Sequence, residues 1–360
     1  MSKQSKLTLL IDGNWLLMSR FAVLSNQYKD EIELCKQLQV LMLKSINLVL
    51  RTFPEIDNII FVSDGGSWRN DIEIPEFIYN EIEDGQPVTY KGKRHLSDDF
   101  NWTIIFQYYE ELISKLEENN ITTCRSKNIE GDDWCWYWST KLNKEGTNCL
   151  IWSMDKDLTQ LVNMNNDDGI FTICWDSKTG LKCPKINNDN NPLDFFFNDP
   201  NKEYNNRIFE SILNKCSKIT EINNKEVIID KIIRGDSGDN IFPIILKKSN
   251  KIDSAKKFRV AQKDLDLSIN LNNDDDIKQY IHNIMTSKKY LNKVNKSEKN
   301  IFEHFKYNYK LIVLDKNNYP KEILDNMNSY SDYYINKDIQ PVLSYYTAQS
   351  NNIQNILENI

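Results

Sequence analysis

Histidine is scarce in this sequence, and the usual partners of nucleophilic catalysis are missing with it. The 360 residues contain three histidines, His95, His282 and His304, none of them beside a candidate nucleophile. The seven cysteines are odd in number and form no CxxC pair. These absences disfavour Ser/His or Cys/His covalent catalysis, a zinc site and a disulfide framework, and they are typical of a protein in a reducing cytoplasm.

Long apolar runs are also absent. No window approaches the roughly 20 apolar residues that a membrane span requires, and Leu7–Ile11 is too short for the apolar core of a signal peptide. Hydrophobic residues make up 40% of the chain and charged residues 27%, which is typical of a soluble globular protein. We therefore expect a cytoplasmic protein with no membrane partner and, from its length, about two domains.

The net charge of −7 argues at first against a nucleic-acid partner. The distribution of charge matters more than its sum, and lysines are concentrated in Lys247–Arg259 and Lys288–Lys296. One such run alone is more often the solvated face of a helix. A basic surface for nucleic acid therefore needs support from a second signal.

Short apolar runs alternate with helical stretches along the first half of the chain. Strands are predicted over Leu7–Asp12, Asn58–Asp64, Ile121–Cys124, Cys149–Met154 and Ile170–Trp175. Apolar spacings of three or four residues predict helices over Glu33–Arg51, Asp99–Glu118, Asp132–Leu142 and Lys225–Ile233, and residues 187–206 are predicted to form a loop. This order predicts an α/β fold with a mostly parallel central sheet, helices on both faces, and ligands at the carboxyl ends of the strands.

Acidic residues occur where the predicted strands end, in the first turn of a predicted helix, and in a turn bracketed by glycines. They are Asp12, Asp64, Glu130, Asp132, Asp133, Asp155, Asp157, Asp236 and Asp239. Taken singly, each is more often a helix cap or a turn residue than a ligand. Taken together, like charges at one sheet edge raise one another's pKa and weaken the fold unless a cation neutralises them.

The donor atoms of this acid set indicate the kind of cation. Carboxylate oxygens without cysteine or histidine favour Mg²⁺ or Mn²⁺ over zinc. The set holds more carboxylates than one octahedral ion can use, so it predicts two ions. Two adjacent ions are the arrangement used for in-line displacement at phosphodiesters.

Six blocks follow one another in the chain: LLIDGN (9–14), FVSDGGSWR (61–69), YKGKR (90–94), IEGDD (129–133), SMDKDLTQL (153–161) and IIRGDSGDNI (232–241). In this order they resemble the 5′-nuclease superfamily, which includes flap endonucleases and phage 5′-nucleases. Two later stretches, LIVLDKNNYPKEI (311–323) and VLSYYTAQ (342–349), are similar to the phage ribonuclease H type of that superfamily. The resemblance thus extends over most of the chain.

The resemblance implies a 5′→3′ exonuclease and flap endonuclease with ribonuclease H activity. The expected cofactor is a pair of Mg²⁺ ions, for which Mn²⁺ substitutes. The expected substrates are duplex DNA with a 5′ flap and RNA–DNA hybrids, and the expected role is removal of RNA primers in phage DNA replication. A monomer in the cytoplasm of a bacterial host is implied, with a single-strand DNA-binding protein as a further partner.

The resemblance also implies an organisation in three parts. Residues 1–225 are expected to form a PIN-like nuclease core that includes a helical arch at about 65–100. Residues 226–300 are expected to form a degenerate helix-hairpin-helix region that binds duplex, and residues 301–360 a helical C-terminal part. The chain departs from the superfamily's pattern in an acidic insert, Ile72–Pro87, and in the absence of a GxG turn after Asn240.

Site roles carry over from the matching motifs. The nine acids match the superfamily's metal ligands by position, without an assignment of acids to ions. Lys91 and Arg94 match the base of the arch and are expected to grip the scissile phosphate as catalytic residues. The residues expected to bind nucleic acid, mainly through phosphates, are Arg69, Lys93, Lys247, Lys248, Lys251, Lys256, Lys257 and Arg259.

Two alternatives remain open. A non-catalytic protein of the same fold that binds DNA junctions would share the pattern of strands and acids. The stretch MDKDLTQLV (154–162) also resembles the DxDxT motif of haloacid dehalogenase-like phosphatases. That family carries its motif early in the chain and has no use for Asp12 or Asp64, so the phosphatase is the less favoured of the two.

Overall fold

The computed structural model of the chain describes residues 6–79, 89–92, 96–165, 167–184, 203–245, 260, 265–287, 297–336 and 345–360. Several predicted features lie outside these residues: most of the predicted loop, residues 80–88 of the acidic insert and its flank, residues 288–296, and the side chains of Lys93, Arg94, Lys247, Lys248, Lys251, Lys256, Lys257 and Arg259.

A single mixed sheet forms the centre of the fold. Its strands are β1 (Lys6–Asp12), β2 (Asn58–Val62), β3 (Thr122–Cys124), β4 (Thr147–Trp152), β5 (Asn163–Met164), β6 (Phe171–Asp176), β7 (Gly180–Pro184) and β8 (Ile219–Ile222). The strand order is β3-β2-β1-β4-β6-β7-β8, with β5 paired to β6. Strands β5 and β7 pair antiparallel with β6, and β8 runs parallel to β7, whereas all other neighbouring strands pair parallel. The prediction of a mostly parallel sheet is confirmed.

Helices cover both faces of the sheet, as predicted. Those within the described residues are α1 (Gly13–Leu24), α2 (Glu31–Thr52), α3 (Glu76–Tyr79), α4 (Trp102–Glu118), α5 (Gly131–Lys144), α6 (Glu203–Lys215), α7 (Asn224–Arg234), α8 (Asp274–Thr286), α9 (Glu298–Ile312), α10 (Lys321–Asn336) and α11 (Tyr345–Glu358). The loop predicted over 187–206 is wrong at its end, because α6 begins at Glu203. None of the described helices is long and apolar enough to cross a membrane.

Alternation along β1 directs one of its faces into the largest apolar core. Leu7, Leu9 and Ile11 are fully buried there, together with side chains of α1, α2 and α4. Asp30 caps the start of α2 by accepting a hydrogen bond from the Glu33 N–H at 2.8 Å. The apolar face of α11 enters the same core through Ile353 and Ile356, so this part of the C-terminal stretch packs within the chain.

The chain forms two compact units with boundaries that differ from the expected three parts. The first unit comprises Met1–Ser67, Leu96–Asn224 and Tyr319–Ile360, and the second comprises Trp68–His95 and Lys225–Asn318. The segment expected to form the arch therefore belongs with the region after residue 225, and the chain from Tyr319 onward belongs with the sheet. The second unit has an apolar core of its own, in which Ile232, Ile281 and Phe305 are buried.

The cysteines are core residues. All seven are free thiols, and six of them are buried. Burial raises the pKa of Cys124 and of Cys174 to about 12, which keeps both protonated at neutral pH. Such buried thiols are chemically inert.

We expect Ile353→Ala to destabilise the first unit, because it leaves a cavity where α11 enters the apolar core. The loss should be roughly 2–5 kcal/mol in the free energy of unfolding, measured by urea denaturation. Gln354→Ala, at an exposed position on the same helix, is the matched control and should change stability by less than about 0.5 kcal/mol. Equal effects of the two substitutions would show that α11 does not depend on this contact.

Candidate active site

The carboxyl ends of three parallel strands meet at one edge of the sheet. Asp12 pairs in register with Val62 of β2, and Ile11 pairs with Trp152 of β4. Asp64 and Asp155 follow those two strands within a few residues, so they lie at the same edge as Asp12. Strand β3 runs parallel to β2, and the chain after it brings Glu130 and the start of α5 to this edge as well.

Asp12 is the buried member of this group, with 7% of its surface exposed. Its Oδ1 accepts a hydrogen bond from the Trp15 N–H at 2.9 Å and caps α1, and its Oδ2 accepts one from the Ser153 hydroxyl at 2.7 Å. Burial raises the pKa of Asp12 to about 7, the two hydrogen bonds oppose this shift, and the charges of Asp64 and Asp155 add to it. The three carboxylates are therefore electrostatically coupled.

The Asp64 carboxylate accepts hydrogen bonds from the Asn14 side chain and from the backbone at the start of α5. Asn14 donates from Nδ2 to Asp64 Oδ2 at 2.9 Å, and the Gly131 N–H donates to Asp64 Oδ1 at 2.6 Å. A Cβ at residue 131 would lie 3.2 Å from Asp64 Oδ1 and 4.0 Å from Asp12 Oδ1, so both carboxylates approach this point. The N-terminus of α5 favours negative charge there.

Asn14 is a site residue that the sequence reasoning missed. Its Oδ1 accepts hydrogen bonds from the Ser63 hydroxyl at 2.9 Å and from the Asp64 N–H at 3.0 Å, while its Nδ2 binds the Asp64 carboxylate. Asn14 thereby fixes both the backbone and the side chain of Asp64. The available signal is its place in the LLIDGN block, two positions after Asp12.

Asp155 and Asp157 follow β4 as predicted. The Asp155 N–H donates to the Ser153 hydroxyl at 2.9 Å, and the Asp157 N–H donates to Asp155 Oδ1 at 2.8 Å. Ser153 thus links Asp155 to Asp12, because the same hydroxyl donates to Asp12. Both acids are half-buried at the start of a short 3₁₀ helix, Asp157–Leu161.

The three acids at the start of α5 have different surroundings. Glu130 is buried and accepts a hydrogen bond from the Ser67 hydroxyl at 2.8 Å, whereas Asp132 is half-buried in the first turn. Asp133 is fully buried and accepts from the Glu130 N–H and from the Tyr319 hydroxyl, both at 3.0 Å. Both oxygens of Asp133, which is expected to be a metal ligand, thus hold protein groups together.

Asp236 and Asp239 belong to the second unit, and each has a protein partner there. Lys231 Nζ lies 2.7 Å from Asp236 Oδ2, and the Gly238 N–H donates to Asp236 Oδ1 at 2.8 Å. Burial alone would raise the pKa of Asp236, but the Lys231 ammonium and the backbone donors outweigh it and bring that pKa below its usual range. Asp239 is buried and accepts a hydrogen bond from the Tyr90 hydroxyl at 3.3 Å. The charge of Asp236 is thus balanced by a lysine within its own unit.

Glycine is required at one of the two positions that bracket this loop. Gly235 has a φ of 68°, and a Cβ there would lie 2.4 Å from the Ile241 carbonyl oxygen. This close approach allows Asp236 and Ile241 to exchange two backbone hydrogen bonds, at 2.9 and 2.7 Å. The backbone pair between Asp236 and Ile241 thus closes the loop that carries Asp239.

Lys91 lies at the turn that leads out of the insert. It has a φ of 54°, and its N–H donates to the Asp239 carbonyl at 2.8 Å. Its ammonium group lies 5.0 Å from the centre of the Tyr90 ring. The side chain is half-buried and is directed by the ring next to it.

Arg69, which is expected to contact phosphate, is enclosed in the structure. This side chain is 3% exposed, its Nε donates to the Leu311 carbonyl at 2.8 Å, and its guanidinium carbon lies 4.7 Å from the centre of the Trp68 ring. The guanidinium is enclosed, because its backbone acceptor and its aromatic neighbour belong to the core of the second unit. Arg69 thus serves the fold of that unit.

The acids at the carboxyl edge fit a hard divalent cation by their chemistry. They offer only oxygen donors, and the pKa of Asp12 is raised mainly by burial and further by the charges of Asp64 and Asp155, which a cation would offset. Among the described residues, no three histidine, cysteine, aspartate or glutamate side chains form a ready-made metal-binding group. Each carboxylate oxygen has two lone pairs, so the hydrogen bonds to Asp12 and Asp64 leave acceptor capacity for an ion. Binding would require small rotations of these side chains.

We compared the sequence and the structure with those of known proteins. No family model matches the chain. A curated 5′-3′ exonuclease of Mycoplasmopsis pulmonis is 29% identical over 167 residues, which are 46% of this chain and 48% of the relative. The chain thus spans about half the length of the curated relative it matches.

The solved structure of the bacteriophage T5 5′-exonuclease with bound zinc matches with a TM-score of 0.50 and 15% identity, over 98% of this chain and 100% of that one. The chain has the fold of that 5′-exonuclease. A second bacteriophage T5 structure, a flap endonuclease in a pseudo-enzyme-product complex with DNA and metal ions, matches with a TM-score of 0.49 and 16% identity over 98% and 100% of the two chains.

The raised pKa of Asp12 predicts a pH-dependent stability of the metal-free protein. The folded state holds this proton between pH 3.8, the ordinary pKa of the group, and about 7, whereas the unfolded state releases it. Stability should therefore fall as pH rises through this window and level off above it. Asp12→Asn cannot ionise and should lack this component.

Urea unfolding of both proteins in the presence of a chelator, from pH 4 to pH 8, measures the effect. The stability of the wild type relative to Asp12→Asn should decrease by up to about 4 kcal/mol across the window. A difference that does not change with pH would contradict the raised pKa of the buried Asp12.

Proposed function

We propose that this chain is a metal-dependent 5′-nuclease, a 5′→3′ exonuclease and flap endonuclease that hydrolyses phosphodiesters near the 5′ end of a duplex. The observation that supports this most is the convergence of Asp12, Asp64, Glu130 and Asp155 at one carboxyl edge of the sheet. The fold of the superfamily and the curated 5′-3′ exonuclease relative agree with this reaction class.

We propose that the four acids at this edge hold two Mg²⁺ ions, with Mn²⁺ able to substitute, and that Asp132 and Asp157 complete the set. Bound divalent cations would supply an activated water and stabilise the leaving 3′ oxygen. The bacteriophage T5 5′-exonuclease binds zinc, a divalent ion, in its crystal. In this chain Asn14 and Ser153 orient the acids, because they donate hydrogen bonds to Asp64 and Asp12.

Asp133, Asp236 and Asp239 have a weaker claim to ligand roles than the other acids. Asp133 uses both oxygens to hold the Glu130 N–H and Tyr319. Asp236 is paired with Lys231, and Asp239 is buried against Tyr90. We assign Asp133 to organising the backbone at the start of α5, and Asp236 and Asp239 to organising their own loop in the second unit.

The proposed substrates are duplex DNA with a 5′ flap and RNA–DNA hybrids, and the proposed role is removal of RNA primers during phage DNA replication in a bacterial cytoplasm. The similarity of residues 311–323 and 342–349 to the phage ribonuclease H type supports this choice. We propose that the protein acts as a monomer and contacts duplex phosphates through Lys93 and the basic stretch from Lys247 to Arg259. A single-strand DNA-binding protein is a proposed further partner.

Lys91 is proposed as the residue that grips the scissile phosphate, together with Arg94. The Tyr90 ring next to the Lys91 ammonium limits the directions in which that side chain points. A positioned ammonium group stabilises the charge that develops on the phosphate in the transition state, which is worth more for the rate than for binding.

Replacement of Asp155 tests the nuclease. On a 5′-labelled flap or RNA–DNA hybrid with Mg²⁺, Asp155→Asn should reduce the single-turnover rate by about 100-fold or more, because the site loses a charged ligand. Asp167→Asn is the matched control: this exposed acid lies before β6, at the opposite edge of the same sheet, and should leave the rate unchanged.

The same experiment separates the alternatives. Wild-type protein that binds these substrates without cutting them, with no effect of Asp155→Asn, would favour a junction-binding protein. Brisk hydrolysis of a small phosphate ester with none of DNA would favour the phosphatase.

Replacement of Lys91 separates catalysis from binding. Lys91→Ala should slow the single-turnover cleavage of a flap roughly 100-fold, while the Kd for the duplex, measured with Ca²⁺ in place of Mg²⁺, should change less than about 3-fold. Lys299→Ala, at an exposed position on α9, is the control for the loss of one positive charge. Equal losses in rate and affinity for Lys91→Ala would make Lys91 a binding residue only.

A further inference from the structure

A segment far away in sequence forms hydrogen bonds with α5 and with the chain ahead of it. We call residues Tyr319–Ser331 the C-terminal clasp; they belong to the first unit and include the first part of α10. Asn326 donates to the Ser126 hydroxyl at 2.9 Å, ahead of α5, and the Tyr137 hydroxyl of α5 donates to Asn328 Oδ1 at 3.0 Å. The clasp thus contacts both the approach to α5 and the body of the helix.

Tyr319 makes the contact that lies nearest to the acids. Its hydroxyl donates to Asp133 Oδ1 at 3.0 Å, and its ring stacks on Trp136 with 4.4 Å between ring centres and 25° between planes. Tyr319 is 6% exposed and Asp133 is fully buried, so no bulk water replaces this donor. A hydrogen bond to a buried carboxylate is strong and directional.

Asp133 in turn holds the backbone at Glu130, a residue of the proposed site. Its Oδ2 accepts from the Glu130 N–H at 3.0 Å, in a capping box that sets the first turn of α5. The next N–H along, that of Gly131, donates to Asp64 Oδ1 at 2.6 Å. The position of the Asp133 carboxylate therefore fixes where Glu130 begins the helix and where Gly131 meets Asp64.

We propose that Tyr319 is a positioning residue for the metal site, acting through Asp133 on Glu130 and Asp64. This inference rests on the proposed function, because it assigns Tyr319 a role in holding metal ligands. The aromatic ring anchors the clasp on Trp136, and the hydroxyl sets the ligand geometry. The two parts of one side chain can therefore be separated by experiment.

Tyr319→Phe retains the ring stack and removes only the hydroxyl. We expect its affinity for Mn²⁺, measured by isothermal titration calorimetry on the full chain without nucleic acid, to fall about 10-fold, the lower end of what loss of a group that orients metal ligands costs. In cleavage assays the Mg²⁺ concentration for half-maximal rate should rise by the same factor. Excess Mg²⁺ should restore the rate, and the KM for a flap substrate should remain unchanged.

Tyr137→Phe is the matched control, because it also removes one tyrosine hydroxyl that joins α5 to the clasp, but one that does not contact Asp133. It should leave Mn²⁺ affinity unchanged, whatever its effect on the melting temperature. Equal losses of affinity in the two variants would reduce Tyr319 to a structural role and overturn the inference.

The failure of this inference is distinguishable from failure of the proposed function. Wild-type protein that binds neither Mn²⁺ nor Mg²⁺ and cuts no substrate would remove the proposed nuclease and the inference with it. Wild-type protein that binds Mn²⁺ and cuts DNA, next to Tyr319→Phe with the same Mn²⁺ affinity, would overturn the inference alone.

Discussion

The first unit depends on how a partly buried edge of a parallel sheet tolerates several carboxylates at once. The register of β1 with β2 and β4 places Asp12 close to Asp64 and Asp155, and the charges of the latter two act on Asp12. Repulsion is limited by donors that the chain itself supplies, from Asn14, Ser153 and the backbone at the starts of α1 and α5. Each donor also belongs to a neighbouring element. The groups that offset the negative charge at this edge therefore also belong to the elements that pack around it.

The sequence predicted the sheet and its acidic edge because both leave local signals. Apolar runs ending in an acid identify β1, β2 and β4, and periodic apolar residues identify α2 and α5. The partners of the acids leave no such signal: Tyr319 stands 186 positions from Asp133, and nothing near Asp133 indicates it. For the same reason the sequence does not indicate the backbone acceptor of Arg69, because Leu311 stands 242 positions away. Strands β5, β7 and β8 were missed because they are short and mix polar with apolar residues.

The boundaries of the two units show a second limit of sequence reasoning. The resemblance implied consecutive parts, whereas the chain leaves the first unit after Ser67 and after Asn224 and returns to it each time. Such returns depend on distant contacts, which composition does not record. Within the second unit, the backbone of Lys91 is bound to Asp239, and Asn240 donates from Nδ2 to the Thr89 carbonyl at 2.9 Å. The motif YKGKR and the motif GDSGDN are thus physically joined, although a long stretch of sequence separates them.

The clasp has a consequence for biosynthesis. A ribosome delivers the strands and acids of the first unit well before it delivers Tyr319, so a nascent chain holds Asp133 buried without its donor or else leaves the start of α5 unformed. Because the first unit includes Tyr319–Ile360, it is complete only after this segment has left the exit tunnel. A chain terminated upstream of the clasp would carry Asp133 without its Tyr319 donor.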